Sequence, residues 1–128
     1  VQIPLRILVV EDHPDGREFL RRLLEANGHT VDAVATCTDA RSRLAAATTS
    51  EYHLMLTDVG LPDGSGWDLV AFARDRMPTL RVGVITGWEP MVSSMEAVGA
   101  EFVLRKPLRA AELLSHIAGH RAPALPEQ

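Results

Sequence analysis

Apolar positions along the chain alternate between two periods. Arg6-Ile7-Leu8-Val9-Val10 is an unbroken, partly β-branched run that stops at the carboxylates Glu11 and Asp12, the pattern of a strand buried on both faces. From Pro14 the period lengthens: Phe19, Leu20, Leu23 and Leu24 share one helical face, while Arg17, Glu18, Arg21, Arg22 and Glu25 share the other. Proline suits the first turn of a helix, and Asn27-Gly28 suits its end. The alternation then repeats. Residues 30–34 read as a weaker second strand, with Thr38 as the expected cap of a helix over about 39–47. Residues 53–57 form a third strand ending at Asp58, residues 60–66 are turn chemistry, and 67–76 return to helical period. Residues 81–85 give a fourth strand ending at Thr86, and 91–98 a short helix closed by Gly99. Residues 102–105 give a fifth strand ending at Lys106-Pro107, and 110–118 a last helix with Leu113, Leu114 and Ile117 inward.

Strands that alternate with helices must run parallel and join by right-handed crossovers, which makes an open, doubly wound α/β sheet. Ligands of such sheets bind beyond the carboxyl ends of the strands. The 128 residues allow one domain, and 46% apolar with 23% charged residues can bury a core. A net charge of −4 excludes broad attraction to nucleic acid or anionic lipid. The single cysteine, Cys37, excludes a disulfide framework and fits a reducing, cytoplasmic setting. No apolar stretch approaches the roughly 18 residues of a membrane span. Residues 122–128, rich in proline and small side chains, read as a linker or free end, so 5–118 is the expected domain and 119–128 a flexible tail or linker stub.

The strand ends carry Glu11 and Asp12, then Asp58, Thr86 and Lys106. Carboxylates packed on one rim repel one another unless a cation or proton is shared between them, and all-oxygen ligation suits Mg²⁺. A backbone carbonyl near Gly60, where glycine lets the chain approach closely, offers one more oxygen. A carboxylate beside Mg²⁺ is a usable nucleophile toward phosphorus. Asp58, alone on its strand end, is the candidate; Glu11 and Asp12 hold the metal, Lys106 supplies a mobile positive charge, and Thr86 a hydroxyl for phosphoryl oxygens.

The stretches Ile7-Leu8-Val9-Val10-Glu11-Asp12-His13-Pro14 and Leu56-Thr57-Asp58-Val59-Gly60-Leu61-Pro62-Asp63-Gly64-Ser65-Gly66, with Thr86 and Lys106-Pro107, resemble the receiver domain of two-component response regulators. The resemblance covers about residues 5–118. It implies a flavodoxin-like sheet of five parallel strands in the order 2-1-3-4-5 with five helices. It implies Mg²⁺ on Glu11, Asp12, Asp58 and the Gly60 carbonyl, and transfer of a phosphoryl group from a histidine kinase or histidine phosphotransfer domain to Asp58. It further implies sensing by Thr86 and Lys106, self-catalysed transfer and hydrolysis, and a cis peptide bond before Pro107. A homodimer through the fourth helix, fifth strand and fifth helix is in keeping with it, as is attachment to a hybrid sensor kinase. No helix-turn-helix follows the last helix, so no direct DNA output is encoded in these residues.

One position departs from the family pattern. Three residues before the lysine, where the family often has Tyr or Phe as a rotamer switch, this chain has Val103, and Phe102 beside it points to the opposite face. The response is therefore expected to run through Thr86 and residues 87–90 to the helix over 91–98. Two other classes stand beside the switch. An aspartyl-phosphate phosphatase would generally place a second acid where Gly60 stands. A flavin or nucleotide carrier would need a glycine-rich loop where Glu11 and Asp12 stand.

Overall fold

The computed structural model of the chain describes residues 3–47, 51–87 and 99–119. In chain order it contains β1 (Arg6–Val10), α1 (Pro14–Ala26), β2 (Thr30–Val34), α2 (Cys37–Ala46) and β3 (Leu54–Asp58). Two short strands, β4 (Gly60–Leu61) and β5 (Gly64–Ser65), lead into α3 (Gly66–Arg76). Then follow β6 (Arg81–Thr86), β7 (Phe102–Arg105) and α4 (Ala110–Gly119). The five longer strands pair in parallel in the order β2-β1-β3-β6-β7, which is 2-1-3-4-5 when only they are counted. This is the doubly wound, flavodoxin-like sheet expected from the alternation. The helix expected over 91–98 and residues 88–90 before it lie outside the described residues, as do residues 120–128.

Successive side chains of a strand point to opposite faces, so an apolar run with no alternation needs cover on both sides. Leu8 and Val10 join Met55, Val82 and Val84 beneath α2 and α3, packed against Ala40, Leu44, Leu69 and Val70. Ile7 and Val9 join Leu54, Leu56 and Ile85 beneath α1 and α4, packed against Leu20, Leu24, Leu113 and Ile117. Phe102 belongs to this second face and Val103 to the first, as strand alternation requires. Gly83 of β6 has no room for a side chain, since a Cβ there would lie 2.3 Å from two ring atoms of Phe102. That ring in turn stacks on His116 of α4 at 4.9 Å. Arg81 ties the same corner, bonding Glu101 and the carbonyls of His116 and Ile117 near the end of α4.

Three expectations of detail are corrected. The hydroxyl that caps α2 is that of Thr36, which accepts the Asp39 N–H, so the helix starts at Cys37. Thr38 instead donates to Asp63, whose carboxylate also takes the Cys37 and Thr38 amides at 2.7 and 2.9 Å. Phe19 is not on the inner face of α1. Leu20 and Leu24 are buried, whereas Phe19 lies about one residue's rotation off that stripe and is 46% exposed. Finally, 60–66 is more than a turn: β4 and β5 pair antiparallel there.

Two outcomes are expected from this packing. Gly83→Ala should lower unfolding free energy by about 1 to 3 kcal/mol in urea titrations, because the new methyl meets a ring held on its far side by His116. Combining it with Phe102→Leu should cost less than the two single changes added together, and strict additivity would show that the ring is not the obstacle. The second outcome concerns Asp63, whose carboxyl is held down at about 2 by the Thr38 hydroxyl and the Thr38 and Cys37 amides. A carboxylate with a lowered folded pKa stabilises fully above its unfolded value near 4 and loses that contribution as pH falls through about 2. Asp63→Asn should therefore melt below the parent at neutral pH, with the gap closing as melts are repeated toward pH 2.

Candidate functional site

Parallel strands deliver their carboxyl ends to one rim, and there the sequence places its charges. The Glu11 N–H extends the β1 ladder to the Val34 carbonyl at 3.0 Å, so Glu11 leaves the sheet in a fixed direction, with its side chain buried. Asp58 closes β3 opposite Ile85 of β6 and is 7% exposed. Lys106 follows β7 and reaches back to both acids: its Nζ lies 2.9 Å from Asp58 Oδ2 and 3.4 Å from Glu11 Oε1. Thr86 ends β6 in a buried position, and its carbonyl accepts the Lys106 N–H at 2.9 Å. The Lys106-Pro107 peptide bond is cis, as the resemblance implied.

Single oxygens of Glu11, Asp12 and Asp58 lie within 4.8 Å of one another. Like charges at that spacing repel by about 3 to 4 kcal/mol per pair at an effective dielectric near 20. Three carboxylates make three repulsive pairs, and the Lys106 ammonium offers two close attractions, so one cation leaves the cluster short of positive charge. Burial pushes the Glu11 carboxyl up; the His13 N–H opposes this, the Asp58 charge reinforces it, and Lys106 opposes it again. Burial also works against the Lys106 ammonium, but the hydrogen bond and charge of Asp58, helped by Glu11, hold its pKa above the ordinary value. Asp12 Oδ1 is buried and receives no hydrogen bond. An orphaned carboxylate oxygen beside two further acids is the donor set of a hard divalent cation. The residues present fit such an ion.

The structure thus brings together Glu11, Asp12, Asp58 and Lys106, with Thr86 on the adjoining strand end. Gly60 stands two residues beyond Asp58 at the start of β4, but not for the reason expected. A Cβ at Gly60 would meet nothing within 4 Å, whereas one at Gly66 would fall 2.0 Å from the Asp58 carbonyl oxygen. The close approach is that of α3 to the end of β3, and Gly66 permits it. Sequence reasoning also passed over Arg17, placed only on a polar helix face; its Nη1 bonds the carbonyls of Glu11 and Asp12 at 2.9 and 3.3 Å. His13 caps nothing with its ring, but its N–H donates to Glu11 Oε2 at 3.1 Å. Beside the acids, a groove of about 470 Å³ runs between α1 and the segment after β7, lined by Phe19, Lys106, Pro107 and Leu108.

Fold and site first define a class: a flavodoxin-like parallel sheet with an acidic cluster and a lysine at its strand ends. Within that class, the chain belongs to the response regulator receiver domains of two-component systems, whose family model matches residues 7–118. Receiver domains of this kind are signalling modules phosphorylated on an aspartate. Response regulator protein PilR of Pseudomonas aeruginosa is 34% identical over 115 residues, covering 88% of this chain and 25% of that protein. The chain spans between 25% and 49% of the length of the first curated relatives it matches. A CheY-like receiver domain protein from Methanospirillum hungatei superposes with a TM-score of 0.83 at 26% identity, over 90% of this chain and 91% of that one. A response regulator protein from Burkholderia pseudomallei, with a phosphorylated aspartic acid, calcium ion and citrate, gives 0.80 at 25% identity, over 88% and 66%. Among the described residues, no helix is long and apolar enough to cross a membrane.

If the acid cluster is the cation site, Asp12→Asn should weaken Mg²⁺ binding about tenfold or more in calorimetric titration. Parental affinity in that variant would place the ion elsewhere.

Proposed function

We propose that residues 5–118 are a phosphoryl-accepting switch in which Asp58 takes the phosphoryl group of a phosphohistidine in a Mg²⁺-dependent reaction. The donor is a sensor histidine kinase or a histidine phosphotransfer domain. The observation that carries this reading is the Asp58 carboxylate, at the end of β3, bonded to Lys106 at 2.9 Å and within 4.8 Å of oxygens of Glu11 and Asp12. The phosphorylated aspartate and calcium ion of the Burkholderia pseudomallei relative support it.

Mg²⁺ on Glu11, Asp12, Asp58 and the Gly60 carbonyl would supply charge neutralisation for the incoming phosphoryl oxygens. An Asp58 oxygen attacks phosphorus as the bond from phosphorus to the donor imidazole breaks. The electron pair stays on the departing nitrogen, which takes up a proton from solvent. Lys106 turns from bridging two acids to pairing with the phosphoryl oxygens, and Thr86 donates its hydroxyl to them. Water attack on the acyl phosphate returns the Asp58 carboxylate and inorganic phosphate, so transfer and hydrolysis need no further catalyst. The net charge of −4 gives no broad attraction to nucleic acid or an anionic membrane, in keeping with a switch that contacts neither directly and works in the cytoplasm. A homodimer through the helix over 91–98, β7 and α4 belongs to the same reading, with 91–98 outside the described residues.

Incubation with Mg²⁺ and acetyl phosphate, read by intact mass and peptide mapping, should label Asp58, and Asp58→Asn should take up no label at comparable rate. Equal labelling of the variant and the parent would sink the assignment.

A further inference from the structure

We propose that Arg17 is a positioning residue that pre-forms the metal-binding loop between β1 and α1, an inference that rests on the metal site proposed above. After Glu11 the loop leaves the sheet, and the carbonyls of Glu11 and Asp12 have no strand to bond. One nitrogen, Arg17 Nη1, serves both, at 2.9 and 3.3 Å. The Arg17 backbone is itself fixed, its N–H donating to the His13 carbonyl at 2.9 Å, so the guanidinium reaches back from the first turn of α1 over the loop that precedes it.

Fixing those two carbonyls fixes the peptide planes after Glu11 and after Asp12, and with them the directions in which both side chains leave the backbone. The remaining freedom is small. Glu11 is held from one side by the His13 N–H at 3.1 Å and from the other by Gly16, where a Cβ would lie only 3.4 Å from its side chain. The product of these restraints is visible at Asp12, whose Oδ1 is buried without a hydrogen bond, a conformation a free loop would relax by turning the carboxylate to water. Charge-assisted bonds from a guanidinium are strong enough to hold such an arrangement before any cation arrives.

The sign of the effect separates this role from a plain charge effect. A guanidinium near a cation site repels the cation, so if its charge were what mattered, neutralising Arg17 would tighten Mg²⁺ binding. A positioning role predicts weaker binding, since the ligands must then be ordered by the ion itself. Titrate Mg²⁺ calorimetrically into the full chain, into Arg17→Gln and into Arg17→Lys, whose head group sits one bond closer to the backbone. Expected is a loss of about tenfold for Arg17→Gln and an intermediate loss for Arg17→Lys. In acetyl phosphate labelling of Asp58, the Mg²⁺ concentration for half-maximal rate should rise while the rate at saturating Mg²⁺ stays near the parent's. A fall in the saturated rate with unchanged half-saturation would overturn the proposal, as would parental or tighter binding in either folded variant. Should Arg17→Gln not fold, the Arg17→Lys titration decides by itself. Failure of the parent chain to bind Mg²⁺ would instead overturn the metal site on which this inference stands.

Discussion

Mutual repulsion of three carboxylates is the constraint around which the rest of this structure is arranged. Oxygens of Glu11, Asp12 and Asp58 are held within 4.8 Å of one another, at a spacing where each charged pair costs about 3 to 4 kcal/mol. No isolated loop would keep them there. The sheet does so because β1 and β3 are hydrogen-bonded neighbours, paired from Ile7 and Leu54 to Val10 and Thr57. Their ends therefore stop side by side. Lys106 offsets part of the repulsion across the gap to β7, and the shortfall in positive charge that remains is what a hard cation would offset.

Holding charges apart from water requires a stiff frame, and the frame is stiff at the points nearest the acids. Helix α3 begins directly against the end of β3, because Gly66 leaves no Cβ to strike the Asp58 carbonyl oxygen. The β4–β5 hairpin that leads into it is pinned to the neighbouring crossover by Asp63, which takes three hydrogen bonds from the start of α2. Negative charge at a helix N-terminus is favourable, and here it ties two loops of the functional rim to one another. Arg17 performs the corresponding task on the loop after β1.

The strands were legible in the sequence because both faces of a parallel sheet are covered, so Ile7 to Val10 and Leu54 to Leu56 appear as unbroken apolar runs. The rim was legible because each run stops at a polar residue of distinctive chemistry, and parallel topology alone sends those residues to one edge. What escaped were contacts with no local signature. Asp63 meets Cys37 and Thr38 from 26 and 25 residues away, and nothing near position 38 tells a threonine that caps from one that is itself bonded by a distant carboxylate. Phe19 fits the helical stripe by period, yet α1 turns it to the groove beside Lys106. Gly60 and Gly66 look equivalent in a glycine-rich turn, and only the packing of α3 on β3 distinguishes the one that cannot carry a side chain. Arg17 reads as one of several arginines on a polar face until its guanidinium is seen over the Glu11 and Asp12 carbonyls.

The two sides of β7 differ in how far they can respond to events at the rim. Phe102 is clamped between Gly83 and the ring of His116, and a densely packed aromatic in that position has no second rotamer to occupy without displacing a neighbouring strand or helix. Val103 lies only partly buried on the opposite face, and its branched side chain is short and stiff. Neither offers a swinging ring. The two strand ends are linked through backbone: the Lys106 N–H is bonded to the Thr86 carbonyl at 2.9 Å, in the same residue whose ammonium reaches Asp58. Under the phosphoryl-acceptor reading, a Lys106 ammonium drawn toward new oxygens and a Thr86 hydroxyl drawn toward the same oxygens pull on two strand ends already fastened to each other. The ends of β6 and β7 are coupled there through the Lys106–Thr86 backbone bond, while Phe102 stays packed between Gly83 and His116 on the other face.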